Sequence, residues 1–404
     1  MPDSELRTGL DRLLERTEQL RGRRYGLLSH SAAVSHELLP IHLALAKTGA
    51  EAPRRLFGPE HGFYSIEQDM VASVNTVDPL TGVPIVSLYG DSKDSLKPEK
   101  RAFEGLDLVI IDLQDVGSRY YTYAATGVWT AEAALAAGCE VWLLDRPNPL
   151  GGAVIEGNRR QPGFESFVGA FEMPVRHGLT MAELVLMALE RATGDEALRV
   201  WSLEGWSRSD DWEATGRTWV APSPNIPTPQ TARVYPGSCL LEATEFSEGR
   251  GTTSPFELIG APGLDAVALA DELNARNLAG ARFSPALFKP QYQKHSGRAC
   301  AGVRWFVEDF SRLQPYRCGV EILRVLHRTA AGVFSWRRRP YEFESDRPAI
   351  DLLTGDSKLR EALEGDDDIE EWIAGWSDDE ADFREARRPF LLYPGAEAES
   401  RGRE

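Results

Sequence analysis

Short, continuously apolar runs alternate along the first half of the sequence with longer segments whose apolar residues have helical spacing. The runs at 108–111 and 141–144 contain no polar residue, which is typical of strands that are covered on both faces. Further strand-like runs lie at 25–29, 55–57 and 84–88. Strands that alternate with helices in this way favour an α/β fold built on a parallel, doubly wound sheet.

The texture of the chain changes in its second half. Residues 206–262 are rich in Pro, Gly, Ser and Thr and have little periodicity, which predicts a long, ordered, functional loop region. Beyond it, helical spacing at 264–278 and an apolar run at 302–307 predict a smaller α+β domain. We therefore divide the chain into residues 1–260, which carry most of the loops of interest, and residues 261–404.

Composition excludes several classes of protein. The 404 residues include 45 Lys and Arg against 62 Asp and Glu, a formal net charge of −17 that argues against a nucleic-acid partner. The four cysteines form no CxxC pair and are interpreted as small buried hydrophobes. No run approaches the roughly 18 apolar residues of a membrane span. The polar N-terminus lacks the apolar core of a signal peptide, which predicts a cytoplasmic protein.

Several familiar catalytic signatures do not occur in the sequence. It contains no GxGxxG, GxxxxGK[ST], HExxH or GxSxG motif. Dinucleotide binding by the usual fingerprint, P-loop phosphate binding, zinc-dependent proteolysis and α/β-hydrolase chemistry therefore have no support. We predict neither a cofactor nor a metal.

Dense polar motifs follow four of the predicted strands, at 58–62, 88–91, 112–119 and 145–149. In an open parallel sheet the loops beyond the carboxyl ends of the strands converge on one crevice, where ligands bind. The side chains predicted to share this rim are Glu60, His61, Asp91, Asp115, Arg119 and Asn148.

Glu60 is the first candidate for catalysis. It lies between Pro59 and His61, with aromatic residues at 57, 63 and 64. An apolar, partly dry setting favours the protonated form of a carboxyl group, which a general acid requires. From spacing alone, a structural role in which Glu60 pairs with a nearby Arg or caps a turn remains open.

Other polar groups suggest ligand contacts. Arg119 precedes three tyrosines, including Tyr121. A fixed cation beside aromatic rings suits an acidic, ring-containing ligand. Ordinary packing explains the tyrosines equally well. Ser223 and Asn225 occupy a proline-stiffened loop and can bind sugar hydroxyls. Glu248 and Arg250 are flanked by glycines, which allow the backbone to approach a ligand closely. The loop of Ser223 and Asn225 and the loop of Glu248 and Arg250 are each as compatible with a structural role as with a functional one.

Eight motifs taken in order resemble the exo-β-N-acetylmuramidases called NamZ, a family long catalogued as a domain of unknown function. The resemblance runs from about residue 25 to 307, and more loosely to 394. The motifs are GPEHG, SLYG, DLQDVGSRYYTY, LDRPNPLGG, PVRHGLT, PSPNIPT, YPGSCLLE and SEGRGTTSPFE.

The resemblance implies a Rossmann-like domain joined to a smaller C-terminal domain, with the active site in the cleft between them. It implies hydrolysis of terminal, non-reducing N-acetylmuramic acid from peptidoglycan-derived saccharides. It assigns catalysis to Glu60 and matches Tyr292 to a tyrosine that the C-terminal domain supplies. Family members are often exported, and this sequence departs from them in showing no signal peptide.

Glycoside hydrolysis needs an acid and a second group that attacks or activates water. We expect Glu60 to be the acid and Asp115, Glu248 or a tyrosine to be the second group. Arg119 and Arg250 are the candidates to bind the lactyl carboxylate of muramic acid. The remaining candidate substrate contacts are His61, Tyr121, Asn148, His177, Ser223 and Asn225.

Two other functions remain open at this stage. A metal-dependent hydrolase would use His61, Asp115 and His177 as ligands, although an Asp at the end of a strand more often bonds loop amides. A non-catalytic saccharide-binding protein would use the same cleft. The sequence gives no prediction of the oligomeric state.

Overall fold

The computed structural model describes residues 6–68, 70–192, 194–330, 332–365 and 368–395. Its strands form a seven-stranded sheet in the order β3-β4-β2-β1-β5-β6-β7 and a three-stranded sheet in the order β8-β10-β9. The strands are β1 (Tyr25–Leu28), β2 (Arg55–Gly58), β3 (Thr76–Val77), β4 (Pro84–Ser87), β5 (Leu108–Ile111), β6 (Glu140–Leu144), β7 (Leu198–Trp201), β8 (Leu258–Ala261), β9 (Ala281–Phe288) and β10 (Cys300–Val307).

The α-helices lie mainly between these strands and at the C-terminal end of the described chain. They are α1 (Gly9–Leu14), α2 (Ile41–Lys47), α3 (Tyr123–Ala136), α4 (Met181–Ala188), α5 (Pro229–Ser238), α6 (Ala266–Ala275), α7 (Pro315–Thr329), α8 (Ala349–Thr354), α9 (Lys358–Gly365), α10 (Glu370–Ala374) and α11 (Trp376–Arg387). No helix in the described ranges is both long and apolar enough to cross a membrane.

The large sheet confirms the predicted α/β class. All of its pairings are parallel except that of the short edge strand β3 with β4. Val109 and Ile111 of β5 join one apolar cluster, whereas Leu108 and Ile110 join another. Because successive side chains of a strand point to opposite faces, β5 is buried on both sides, which explains its continuously apolar sequence.

The strand order reverses between β1 and β5. The chain builds β2 and β4 on one side of β1 and then returns to build β5, β6 and β7 on the other side. Loops that leave the carboxyl ends of β1 and β5 therefore diverge and open a crevice at this edge of the sheet.

The predicted loop region 206–262 is only partly a loop. It contains helix α5 and strand β8, and α5 was missed because Pro236, Gly237 and Ser238 lie at its end and have weak helix propensity. The smaller antiparallel sheet with α6 and α7 agrees with the predicted α+β architecture of the second region. The predicted domain boundary after residue 260 falls within β8 and stays a prediction.

Helices α5 and α7 cross where two glycines face each other. A Cβ atom on Gly319 would lie 2.3 Å from the carbonyl oxygen of Gly237, and one on Gly237 would lie 2.0 Å from that of Pro315. Both contacts are with backbone, which cannot rotate away as a flexible side chain can. The crossing therefore requires glycine at both positions.

We expect Gly319→Ala to lower the free energy of unfolding by about 1–3 kcal/mol, because the added methyl group forces α5 and α7 apart. The measurement is denaturant unfolding followed by circular dichroism. Gly332→Ala is the matched control, since a Cβ atom there has no neighbour within 4 Å. Equal stability of the two variants would contradict the close crossing.

Candidate active site

A tight turn after β2 positions Glu60. The amide of Gly62 donates to the carbonyl oxygen of Pro59 at 2.9 Å, and His61 and Gly62 both have left-handed backbone angles, with φ of 69° and 78°. A left-handed histidine is uncommon and costs conformational energy, a feature that clusters at functional sites. The side chain of Glu60 is consequently turned inward and is only 5% exposed.

The carboxyl group of Glu60 is held by helix α3 and the residues before it. Thr122 Oγ1 donates to Glu60 Oε2 at 2.6 Å, and Tyr123 Oη lies 3.3 Å from the backbone carbonyl oxygen of Glu60. The bond from Thr122 fixes the orientation of the carboxyl group and leaves Oε1 for a further partner.

Glu60 lines a cavity, which we name the main cavity, of about 440 Å³ including its open mouth. Six residues predicted from sequence meet there: Glu60, His61, Tyr121, Ser223, Asn225 and Arg250. The other lining residues are Tyr120, Thr122, Val168, Ile226, Tyr235, Glu242, Phe256, Tyr341 and Glu342. The main cavity therefore receives side chains from both the large sheet and the C-terminal half of the chain.

Buried tyrosines form much of the wall. Burial raises the pKa of the Tyr121 hydroxyl well above its usual value, and the neighbouring side chain of Tyr123 raises it further. Burial likewise raises the pKa values of Tyr235 and Tyr341 well above the usual value. These phenols stay protonated at neutral pH and act as hydrogen-bonding groups.

The loop that carries Ser223 and Asn225 is anchored through the carbonyl oxygen of Pro222. It accepts hydrogen bonds from Tyr123 Oη at 2.8 Å and His30 Nδ1 at 3.2 Å. Burial and the guanidinium of Arg146 lower the pKa of His30 to about 3, so the ring is neutral. Its Nε2 accepts from the amide of Gln114 at 2.9 Å, which assigns the ring proton to Nδ1.

An ion-pair cluster supplies the opposite wall. Arg250 Nη2 donates to Glu242 Oε1 at 2.5 Å, and Tyr341 Oη donates to Glu242 Oε2 at 2.7 Å. Tyr89 Oη donates to Glu342 Oε2 at 3.2 Å. Sequence reasoning missed Glu242, Tyr341 and Glu342, although Glu242 closes the YPGSCLLE motif and could have been found there.

Tyr292 reaches the rim of the main cavity. Its hydroxyl donates to Asn225 Oδ1 at 3.2 Å, and the side chain is 38% exposed. Asn225 Nδ2 in turn donates to Gln68 Oε1 at 2.8 Å. A residue of the C-terminal half is thereby joined to the loop after β2.

Asp115 and His177 lie outside the lining of the main cavity. Asp115 Oδ2 accepts from the amide of Gly117 at 2.6 Å and lies 3.5 Å from His177 Nε2. His177 Nδ1 accepts from the amide of Leu179 at 3.1 Å, which places the ring proton on Nε2, facing Asp115. Through the bond to Gly117, this pair organises the loop after β5.

The guanidinium of Arg119 is directed away from the main cavity, contrary to its predicted contact with substrate. It donates to four backbone carbonyl oxygens, those of Asn158, Met173, Leu353 and Thr354, at 2.7–2.8 Å. Leu353 and Thr354 end helix α8, where a cation is favourable beside the unpaired carbonyl groups. The arginine fastens the C-terminal region to the large sheet.

Asn148 and Glu248 are also occupied elsewhere. Asn148 Nδ2 donates to the Leu179 carbonyl oxygen at 2.9 Å, and its Oδ1 accepts from the amide of Leu150 at 2.9 Å. Glu248 Oε2 accepts from Lys294 Nζ at 2.8 Å, and its Oε1 lies 3.4 Å from Arg250 Nε. Neither residue lines the main cavity, so Glu248 acts on it only through Arg250.

No group of three or more His, Cys, Asp or Glu side chains in the described ranges is arranged to hold a metal ion. In particular, His61 Nδ1 lies 2.9 Å from the Glu67 carbonyl oxygen, on a different loop from the Asp115 and His177 pair. The described side chains of this region therefore do not form the metal site considered from sequence.

A mostly parallel sheet that carries a carboxyl-lined cavity at its carboxyl edge, completed by a second domain, defines a two-domain α/β protein with a candidate active site. Family models identify the family within it: the N-terminal model of the exo-β-N-acetylmuramidase NamZ matches residues 25–230, and the C-terminal model matches residues 233–393. The chain belongs to the NamZ family.

Similar proteins support this membership over nearly the whole length. The chain is 36% identical over 392 residues to the peptidoglycan β-N-acetylmuramidase NamZ of Bacillus subtilis, covering 96% of this chain and 92% of the relative. A crystal structure of a DUF1343 family protein from Bacteroides fragilis matches with a TM-score of 0.85 and 31% identity, over 97% of this chain and 100% of that one. A second such protein from the same organism matches with a TM-score of 0.71 and 27% identity, over 96% and 99%.

Proposed function

We propose that this protein is an exo-acting glycoside hydrolase that releases terminal, non-reducing N-acetylmuramic acid from peptidoglycan fragments, with Glu60 as the general acid. The name and activity of the Bacillus subtilis relative support the reaction. The observation that carries the role of Glu60 is its burial in the main cavity, where Thr122 fixes one carboxyl oxygen.

Glu60 can protonate the departing glycosidic oxygen through Oε1. The acceptor of this proton is the glycosidic oxygen of the scissile bond, which would lie beside Oε1 when a sugar occupies the main cavity. The hydrogen bond from Thr122 holds the carboxyl plane steady during this transfer, which favours reaction over rotation of the side chain.

The second catalytic group is best sought among residues that line the same cavity. Glu242 and Glu342 do so, whereas Asp115 and Glu248 do not. Tyr292 is the remaining predicted candidate, and its hydrogen bond to Asn225, which lines the main cavity, supports this role. We propose that one of Glu242, Glu342 and Tyr292 attacks the anomeric carbon or activates water.

Arg250 is the group we propose for recognition of the lactyl carboxylate. Among the described residues that line the main cavity, it is the one with a permanent positive charge. Its guanidinium is held in place by Glu242 and lies 4.8 Å from the ring centroid of Phe256, so its position is fixed before a ligand arrives.

The test is incubation with a disaccharide of N-acetylmuramic acid β-linked to N-acetylglucosamine, followed by chromatographic analysis of the products. We expect equal amounts of the two free sugars, because the muramic acid is at the non-reducing end. The matched control is the disaccharide of reversed order, which should remain intact.

Three results would contradict the proposal. Cleavage of both disaccharides would remove the specificity for terminal muramic acid. Activity abolished by a chelator and restored by a metal would indicate a metal-dependent hydrolase. Binding of the first disaccharide without release of sugar would indicate a saccharide-binding protein.

A further inference from the structure

A second cavity opens at the point where the strand order of the large sheet reverses. It encloses about 720 Å³ including its mouth and is formed by the loops after β1, β5 and β6 together with residues 212–220. It shares no lining residue with the main cavity. Open α/β sheets bind ligands at the point where the strand order reverses. The hydrolysis proposed above takes place in the main cavity and does not involve the second cavity.

Two guanidinium groups face this second cavity, those of Arg146 and Arg217. Arg146 uses Nε and Nη2 to bind the two carboxylate oxygens of Asp112, at 2.5 and 2.9 Å, and its Nη1 makes no hydrogen bond within the described chain. Arg217 Nη1 donates to Asp11 Oδ2 at 2.8 Å. Neither Asp112 nor Asp11 lines the second cavity, so its charged lining side chains are both arginines. This contrasts with the net charge of −17 of the chain as a whole.

The lining also includes buried polar groups without partners. Gln114 Nε2 donates to the carbonyl oxygens of Asp115 and Pro147, at 2.8 and 2.9 Å, and Gln114 Oε1 accepts no hydrogen bond. The indole Nε1 of Trp212 likewise has no partner. An unsatisfied buried acceptor and donor are costly, and native structures usually retain them for a reason such as ligand binding.

Part of the wall is apolar. Ala32, Val34 and Val220 line it beside Trp212, whose ring meets that of Trp219 edge to face at a centroid distance of 4.8 Å. Trp219 is fixed in turn, since its Nε1 donates to the Ile226 carbonyl oxygen at 3.1 Å. A rigid indole beside cationic groups suits a ligand that combines an oxyanion with a ring.

We propose that this second cavity is a binding site for a small oxyanion-bearing ring compound of the sugar-acid class. The guanidinium groups of Arg146 and Arg217 bind the oxyanion, and Gln114 and Trp212 contact the hydroxyl groups and the ring. The site is independent of hydrolysis in the main cavity, so the proposal stands whether or not the enzyme acts on muramic acid.

The probe is glucuronate, titrated into the protein by isothermal calorimetry, with glucose as the neutral control and inorganic phosphate as a second oxyanion. We expect glucuronate to bind and glucose not to bind. Tighter binding of phosphate than of glucuronate would support an oxyanion site and assign it to phosphate-bearing ligands. Absence of binding by both anions would overturn the proposal.

Variants locate the binding site. Thr218 is exposed and lines the second cavity, so Thr218→Glu should weaken glucuronate binding at least about tenfold through repulsion. Ala214→Glu adds the same charge to an exposed position of the same segment outside the lining, and it should bind as the wild type does. Arg217→Gln should also lose at least about tenfold in affinity.

Two further results would overturn the proposal. One is equal affinity of Thr218→Glu and Ala214→Glu for glucuronate. The other is loss of glucuronate binding in Arg250→Gln, which would place the ligand in the main cavity. Each variant is first compared with the wild type in thermal unfolding, so that a folding defect is recognised.

Discussion

Glu60→Gln is expected to lower kcat for the muramic acid disaccharide by about a thousandfold, within the range that a positioned general acid contributes. Glutamine has nearly the same shape, and its amide oxygen can still accept the hydrogen bond of Thr122, but it cannot donate a proton to the departing oxygen. Steady-state kinetics with product analysis measure the effect, and thermal unfolding checks that the fold is retained.

A substrate with a better leaving group separates the role of acid from that of nucleophile. The nitrophenolate of a nitrophenyl glycoside leaves with little need of protonation. Glu60→Gln should therefore lose much less activity on such a glycoside than on the disaccharide. Glu67→Gln makes the same change on the same loop, outside the lining of the main cavity, and should leave kcat near the wild-type value. Near-normal turnover of the disaccharide by Glu60→Gln would remove Glu60 from the mechanism.

Arg119→Ala is expected to destabilise the protein by at least about 3 kcal/mol, because four buried carbonyl groups each lose a donor and only that of Thr354 keeps another, from Asn158 Nδ2. Arg119→Lys should recover only part of the loss, since an ammonium group cannot match the fork of a guanidinium. Denaturant unfolding measures both. Arg101→Ala removes an arginine whose side chain is 76% exposed and should change stability by less than about 0.5 kcal/mol.

The same variant distinguishes a structural arginine from one that recognises substrate. At a temperature where Arg119→Ala remains folded, its ratio of kcat/KM for muramic acid over glucosamine glycosides should equal that of the wild type. Arg250→Gln should lower that ratio. A selective loss of activity on muramic acid in Arg119→Ala would restore the role predicted for it from sequence.

Part of the candidate site could be predicted because strand ends are visible in the sequence. The apolar run of β2 ends just before Glu60, and that of β5 ends just before the motif that carries Tyr121. The topology rule then places both residues at one edge of the sheet. The same rule could not find Glu242 or Glu342, because they follow no strand of that sheet and reach the main cavity only through packing of the C-terminal half.

The sequence by itself determined the alternation of strands and helices along the first half of the chain and the position of Glu60 at the end of a strand, since an apolar run is a local property of the chain. The tertiary structure alone decided which of the two candidate arginines lines the main cavity. Arg119 donates hydrogen bonds to carbonyl oxygens at the end of α8, more than 200 residues away along the chain, whereas Arg250 lines the main cavity. The direction of a charged side chain is set by the partners that distant segments supply, and no local pattern records them.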